Sequence, residues 1–290
     1  MNYFFTINPT ILKNPLRRGT KYTISAEKSI FFSGSEKVGS IEDFISECKA
    51  PVIECIEIFN LDDHDLEKLL EVIGDKITEA TVFHRSGSLS SLSHLTAIRR
   101  LDLNSSASEI SLWSIKSNTK LDTLTIQLYE CTEIKNITEL ADTSIKDLKI
   151  YSGGISLLKP VSVKLLDPAI LVSMTALRKA EIHMLPPSDA LYALTELSKL
   201  SRLSRLSLDK HSFSFAQFAW LKAKLPETSG FGGITEFYPD RQNDTHMMLI
   251  CGNDVDDLPI SEEERIHAEF QRLTLLYEDE PFPPTKGIGQ

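Results

Sequence analysis

Seven segments of the chain repeat one short pattern: an apolar residue, two others, then apolar–x–apolar. They are Ile53/Ile56/Ile58, Ile77/Ala80/Val82, Ile98/Leu101/Leu103, Leu121/Leu124/Ile126, Ile145/Leu148/Ile150, Leu177/Ala180/Ile182 and Leu203/Leu206/Leu208. Their middle members follow one another at intervals of 24, 21, 23, 24, 32 and 26 residues. Self-similarity at such a period marks a repeat architecture, in which no single unit can bury its own apolar row. Neighbouring units must stack into a continuous core, and both ends need caps.

Each apolar–x–apolar core is short and often β-favouring, as expected of a strand of a few residues. The stretches between are less uniform. In Asp62–Gly74 the residues Leu66, Leu69, Leu70 and Ile73 share one helical face. Acidic residues open that stretch, and Gly74 is placed to end it. Ser40 and Asp43 have near-capping-box spacing ahead of the stripe Ile41, Phe44 and Ile45. Leu191, Leu194, Leu197 and Leu200 make another helical row, whereas Ser86–Leu95 reads as a loop or 3₁₀ turns. Strand–return–strand connections of this length leave successive strands parallel and adjacent.

The segments resemble leucine-rich repeats, whose pattern is L-x-x-L-x-L-x-x-N/C-x-L. Leu95–Leu103 (LTAIRRLDL) and Leu200–Leu208 (LSRLSRLSL) carry it best, and the resemblance covers about residues 50–210. It implies an α/β fold of a particular kind: a right-handed solenoid with a parallel β-sheet on its concave face and short helices or turns on the convex face. The family's Asn/Cys position falls here on Leu61, Arg85, Ser106, Tyr129, Gly153, Leu185 and His211. The buried Asn ladder that joins turns in regular members is therefore missing, and an irregular, bacterial-type solenoid is expected. The longest interval should hold an inserted loop from Gly153–Gly154 to Pro168.

Three regions follow from this reading. Residues 1–50 form an N-terminal cap, with Ile30 and Phe32 as a degenerate first strand. Residues 51–225 form the solenoid, closed by an amphipathic helix from Phe213 to Lys224. Residues 226–290 form an acidic α+β capping segment. In it, Gly233–Tyr238 and Met247–Cys251 are strands joined by a polar turn. Ser261–Glu264 then opens a helix presenting Ile266, Phe270, Leu273 and Tyr277, and order ends at Pro281, Pro283 and Pro284.

Charge sets this last region apart. Residues 226–290 hold 14 acidic and 4 basic side chains, which is the whole net charge of −10, while residues 1–225 balance. An acidic surface repels phosphate backbones, so nucleic acid is not the expected partner. It can steer a basic protein instead. The four cysteines (Cys48, Cys55, Cys131, Cys251) make no C-x-x-C and no disulfide framework, which fits a reducing compartment. The opening residues lack the order of a secretory leader, and no apolar run approaches the ~18 residues of a membrane helix. The expectation is a cytoplasmic protein with no membrane partner. On that reading the sequons at Asn104, Asn136 and Asn243 carry no weight.

If the apolar pairs point inward, alternation puts their neighbours on the exposed sheet face. The central column is Glu57, Thr81, Asp102, Thr125, Lys149, Glu181 and Ser207. The next is Phe59, Phe83, Asn104, Gln127, Tyr151, His183 and Asp209. Aromatic side chains amid polar neighbours are what a protein-binding surface needs. The chosen binding residues are Phe59, Phe83, Asp102, Asn104, Gln127, Lys149, Tyr151, Glu181, His183 and Asp209. The competing reading of Phe59 and Phe83 is a pair that merely stabilises the sheet or tucks under the cap.

Signs of chemistry are sparse. H-E-x-x-H, the P-loop, G-x-S-x-G and G-x-G-x-x-G are absent. Gly230–Gly233 leads into a strand, and Asn253–Asp257 lacks the glycine and closing Glu of a calcium loop. Cys251 with His246 and Asp254 makes the one nucleophile-like cluster. It resembles the C-x-D motif of leucine-rich-repeat ubiquitin ligases, but here the string is C-x-x-D and the segment is too short for such a domain. The sequence thus leads to a non-catalytic scaffold with no cofactor and no metal, binding another protein through the concave face. The alternative is an immunity-type inhibitor that takes a basic enzyme or toxin through the acidic C-terminal segment.

Overall fold

The computed structural model describes residues 3–13, 16–27, 37–85, 88–129, 131, 133–152, 167–183, 189–209, 212–232, 234–240, 245–250, 258–259 and 262–285. The fold is mixed α/β, with a large, mostly parallel sheet and short helices. The chain divides into two compact units: residues 1–163 with 174–176, and residues 164–173 with 177–290.

In the first unit, β1 (Tyr3–Lys13) and β2 (Leu16–Ser25) form an antiparallel hairpin, and β3 (Lys37–Gly39) pairs with β1. Beyond β2 the ladder is parallel. It runs through β4 (Cys55–Phe59), β5 (Glu79–His84), β6 (Arg100–Ser105), β8 (Thr123–Leu128) and β10 (Asp147–Ser152). Short strands β7 (Glu109–Ser111) and β9 (Glu133–Lys135) form a second parallel ladder, joined by a bridge from Ser88 to Ser111. The strand beside β4 is therefore β2, which aligns Tyr22 with Ile56 and Ile24 with Ile58. Ile30 and Phe32, the expected degenerate first strand, lie outside the described residues.

Register explains the core. Ile56, Ala80, Leu101, Leu124 and Leu148 stand side by side, as do Ile58, Val82, Leu103, Ile126 and Ile150. All are buried, and so are the leading residues Ile53, Ile77, Ile98, Leu121 and Ile145. The buried positions alternate with half-buried ones along β5, β6 and β8, as a sheet covered on one face requires.

The returns cap themselves locally. Helix α1 (Ile41–Glu47) opens on a complete Ser40–Asp43 capping box, and α2 (Asp63–Ile73) on Asp62, whose side chain accepts from the Asp65 amide. Gly74 does not terminate α2 in a left-handed turn. It is right-handed, at φ −60°, and leads into the 3₁₀ turn Gly74–Lys76. The need for glycine is steric: a Cβ there would stand 2.6 Å from the carbonyl oxygen of His94, in the 3₁₀ turn Ser90–His94 of the next return.

Among the described residues, neighbouring turns are joined by backbone bonds rather than by an Asn ladder. The amides of Thr78, Arg99, Asp122 and Lys146 donate to the carbonyls of Ile53, Thr78, Arg99 and Asp122 respectively, at 2.8–2.9 Å. At the other strand ends Asn60 donates to Phe83 and Tyr129 to Ser105, at 2.8 and 2.9 Å. Asn60 supports its bond by adopting a left-handed φ of 54°. One buried Asn does act between turns, from an unexpected place. Asn118 donates to the carbonyls of Leu92 and Leu95 and accepts from Trp113 Nε1 at 2.6 Å.

The second unit repeats the theme. Strands β11 (Lys179–His183) and β12 (Arg205–Leu208) are parallel, with Leu177, Ala180, Ile182, Leu203, Leu206 and Leu208 buried. Helix α3 (Pro168–Ser173) precedes β11, and α4 (Ala190–Leu197) joins the two strands. The row expected on α4 is shifted: Leu194, Leu197 and Leu200 are buried, whereas Leu191 is exposed. A further rung follows β12, where Thr228 Oγ1 bonds the Leu203 carbonyl and Ser229 bridges to Arg205. Gly230, at φ +100°, lets the chain approach the Leu206 carbonyl, which a Cβ would meet at 2.6 Å.

Helix α5 (Phe215–Lys224) opens on a Ser214–Gln217 capping box. Strands β13 (Ile234–Asp240), β14 (Thr245–Ile250) and β15 (Leu258–Pro259) form an antiparallel sheet, and α6 (Glu263–Leu276) buries Ile266, Phe270 and Leu273, with Tyr277 buried just beyond its end. Order does not stop at Pro281. Trp220 Nε1 donates to the Glu280 carbonyl and Gln217 Nε2 to that of Pro284, both at 3.0 Å, so residues 280–284 dock on α5. The proposed insertion between Gly153 and Pro168 falls almost wholly outside the described residues, as do Leu185, His211, Gly233, Cys251, Asn253–Asp257 and Ser261. Among the described residues no helix is long and apolar enough to cross a membrane.

Candidate functional site: the half-buried face of the parallel sheet

The residues between the buried pairs line up as well as the pairs themselves. Glu57, Thr81, Asp102, Thr125 and Lys149 form one register column of the first unit, and Phe59, Phe83, Asn104, Gln127 and Tyr151 form the next. β2 extends both, with Thr23 beside Glu57 and Ser25 beside Phe59. Together the two columns from β4 to β10 line an open trough of about 600 Å³. Its long axis crosses the strands.

The trough is graded along its length. At the β4–β5 end, the rings of Phe59 and Phe83 stack with centroids 4.5 Å apart and planes 12° from parallel. Both rings are half-buried, so they support one another and still offer apolar surface. In the middle, Asn104 accepts a hydrogen bond from the Tyr129 hydroxyl at 3.2 Å, which fixes its amide orientation. Tyr151 closes the β10 end.

Charge in the trough is organised in pairs. Lys21 Nζ lies 2.6 Å from Glu57 Oε1, and Arg100 reaches both carboxylate oxygens of Asp102 at 3.3 Å. Lys149 adds a third cation to the lining. Glu57 and Asp102 sit on strands separated by β5, roughly 9–10 Å apart along the sheet. Each is engaged by a cation, which holds its carboxylate in place on this face of the sheet.

Of the ten residues expected on this face, Phe59, Phe83, Asp102, Asn104, Gln127, Lys149 and Tyr151 line the one trough. Glu181, His183 and Asp209 belong to the second unit. There His183 Nε2 stands 3.6 Å from Glu181 Oε1 and 3.4 Å from Ser207 Oγ, and the Asp209 amide donates to Ile182. Lys21 and Arg100 also line the trough and were missed from sequence. Arg100 directly precedes the apolar pair of its strand, so strict alternation would have found it. Lys21 could not be found that way, because its place depends on the register of β2 against β4.

Two of the described cysteines, Cys48 and Cys131, are buried thiols. Burial pushes the Cys48 thiol up to about 12, and it raises that of Cys131 as well. The side chains of Cys251, His246 and Asp254 lie outside the described residues. Comparison of the whole chain with protein-family models, with curated proteins and with solved structures found no match.

Proposed function

We propose that the chain is a leucine-rich-repeat-type solenoid that acts as a non-catalytic scaffold, holding another protein along the half-buried face of its parallel sheet. The observation that carries this reading is the trough itself. Five consecutive parallel strands present two unbroken columns of half-buried side chains, and they place a stacked aromatic pair at one end with paired charges beside it. Aromatic anchors flanked by hydrogen-bonding groups are the usual composition of an energetic centre in a protein interface. The repeated burial of the leading residue and the apolar pair, with backbone bonds joining turn to turn, supports the solenoid part of the proposal.

The inhibitor reading draws on a different surface. Carboxylates at Glu264, Glu278, Asp279 and Glu280 are exposed on and after α6, where they could meet a basic partner. The two readings differ in salt response and in the variant that breaks them. Capture of a protein that survives high salt but is lost in Phe59→Ser/Phe83→Ser supports the trough. Capture that collapses with salt and is indifferent to those substitutions supports the acidic segment.

A further inference from the structure

We propose that Glu67, Glu71 and His94 form a binding site for one divalent transition-metal ion of the zinc class, on the return side of the first unit. Glu67 and Glu71 are one turn apart on α2, so their carboxylates project from the same flank of the helix. His94 comes from the 3₁₀ turn of the following return. The ligand atoms of all three lie within 4.8 Å of one another, and His94 Nε2 is already 2.9 Å from Glu67 Oε1.

The site is built by the fold rather than by chance proximity of mobile side chains. Gly74, at the end of α2, lacks the Cβ that would stand 2.6 Å from the His94 carbonyl oxygen. That absence allows the next return to close onto the helix and brings the imidazole level with the two carboxylates. The helix itself is anchored by Leu66, Leu69, Leu70 and Ile73, all buried. Its outer flank is therefore held in place.

The charge arrangement favours a cation. Two like charges at this helical spacing repel. Among the described residues Glu71 has no hydrogen-bond or ion-pair partner, and His94 is the partner Glu67 has. The neighbouring Lys68 is directed to Glu42 instead. Two carboxylates and one imidazole match a site with three protein ligands and open positions for water. With metal–ligand bonds of about 2.0–2.2 Å in tetrahedral geometry, ligand atoms sit roughly 3.3–3.6 Å from one another. Reaching that spacing requires the exposed Glu71 carboxylate to turn inward and the 2.9 Å Glu67–His94 contact to open by a few tenths of an ångström as the ion enters. The imidazole selects zinc-like ions over magnesium and calcium, which prefer oxygen ligands throughout.

The test is titration of the full chain with Zn²⁺ alone, read by calorimetry and by thermal unfolding, with Mg²⁺ as the comparison ion. The expected result is one Zn²⁺ per chain, a raised Tm, and no response to Mg²⁺ at the same concentration. Glu71→Gln should weaken binding by roughly tenfold or more, since even residues that merely support a ligand cost about that much. His94→Ala should abolish it. His64→Ala, which removes an exposed imidazole elsewhere on α2, should leave it unchanged. Glu71→Gln disturbs no hydrogen bond or ion pair among the described residues, so its result stands whether or not His94→Ala folds well. Absence of saturable Zn²⁺ binding, or equal binding by the wild type and Glu71→Gln, overturns the proposal.

Discussion

Phe59 and Phe83 occupy the same register position on adjacent parallel strands, and their rings stack at 4.5 Å. The stack has two consequences that can be separated by measurement. Within the fold, it is a cross-strand pair of the kind that steadies a sheet. Towards solvent, it is an apolar platform on an otherwise polar face.

The first consequence predicts coupling. Each single change to Ser should cost about 1–2 kcal/mol, because each ring is only half-buried. The double variant should cost less than the sum, by about 0.5–1.5 kcal/mol, the usual worth of an aromatic pair. Urea unfolding of the four proteins checks this. Strict additivity would mean that the rings touch without stabilising one another.

Gly74→Ala is expected to destabilise the first unit by about 1–3 kcal/mol, as overpacking against a backbone carbonyl does. Helix propensity alone predicts the opposite sign for this substitution. A lowered Tm therefore reports the close approach of Gly74 to His94, and an unchanged or raised Tm would contradict it.

Asn118 satisfies three buried groups at once: two carbonyls of the preceding return and the Trp113 indole. Asn118→Leu strands the buried Trp113 indole N–H, whereas the Leu92 and Leu95 carbonyls keep the Leu95 and Ile98 amides as donors. The expected loss is about 1–3 kcal/mol, the cost of one unsatisfied buried donor, seen as a fall in the urea midpoint. A loss below about 0.5 kcal/mol would mean that the indole finds another partner.

The buried thiols give a prediction in pH. Burial keeps Cys48 protonated up to about 12, above the ordinary value of 9.0 that it regains on unfolding. The folded state therefore holds its proton longer than the unfolded state does. Its contribution to stability is intact below about 9 and is lost as pH rises from there towards about 12. Near neutral pH, iodoacetamide should leave Cys48 and Cys131 unmodified in the native protein and alkylate both after denaturation. Rapid native modification of either would refute the packing around it.

Much of the sheet was legible because its signal is redundant. Twenty-one apolar positions in seven segments repeat one spacing, and every one of them is buried. What escaped was written in single residues. Tyr22 and Ile24 carry two of the pattern's three apolar positions, with Gly19 at the leading one, so nothing in the sequence marks β2 as the neighbour of β4. Asn118 and Thr228 are polar residues in loops, and only the carbonyls they face reveal their role. Gly74 has the look of a helix stop, although its purpose is contact with the next return. The same division holds for the trough. Alternation along each strand points to Phe59, Phe83 and Tyr151, whereas Lys21 requires knowledge of which strands meet.

The most direct test of the binding claim is site-specific photo-crosslinking. A photoreactive side chain placed at Gln127, in the middle of the trough, is compared with one at Lys116, on an exposed return. Both proteins are irradiated in lysate of the native host and the adducts identified by mass spectrometry. The account predicts a discrete protein adduct from position 127 that is lost when Phe59 and Phe83 are changed to Ser, and none from position 116. Adducts from position 116 alone, or from neither position, would contradict it.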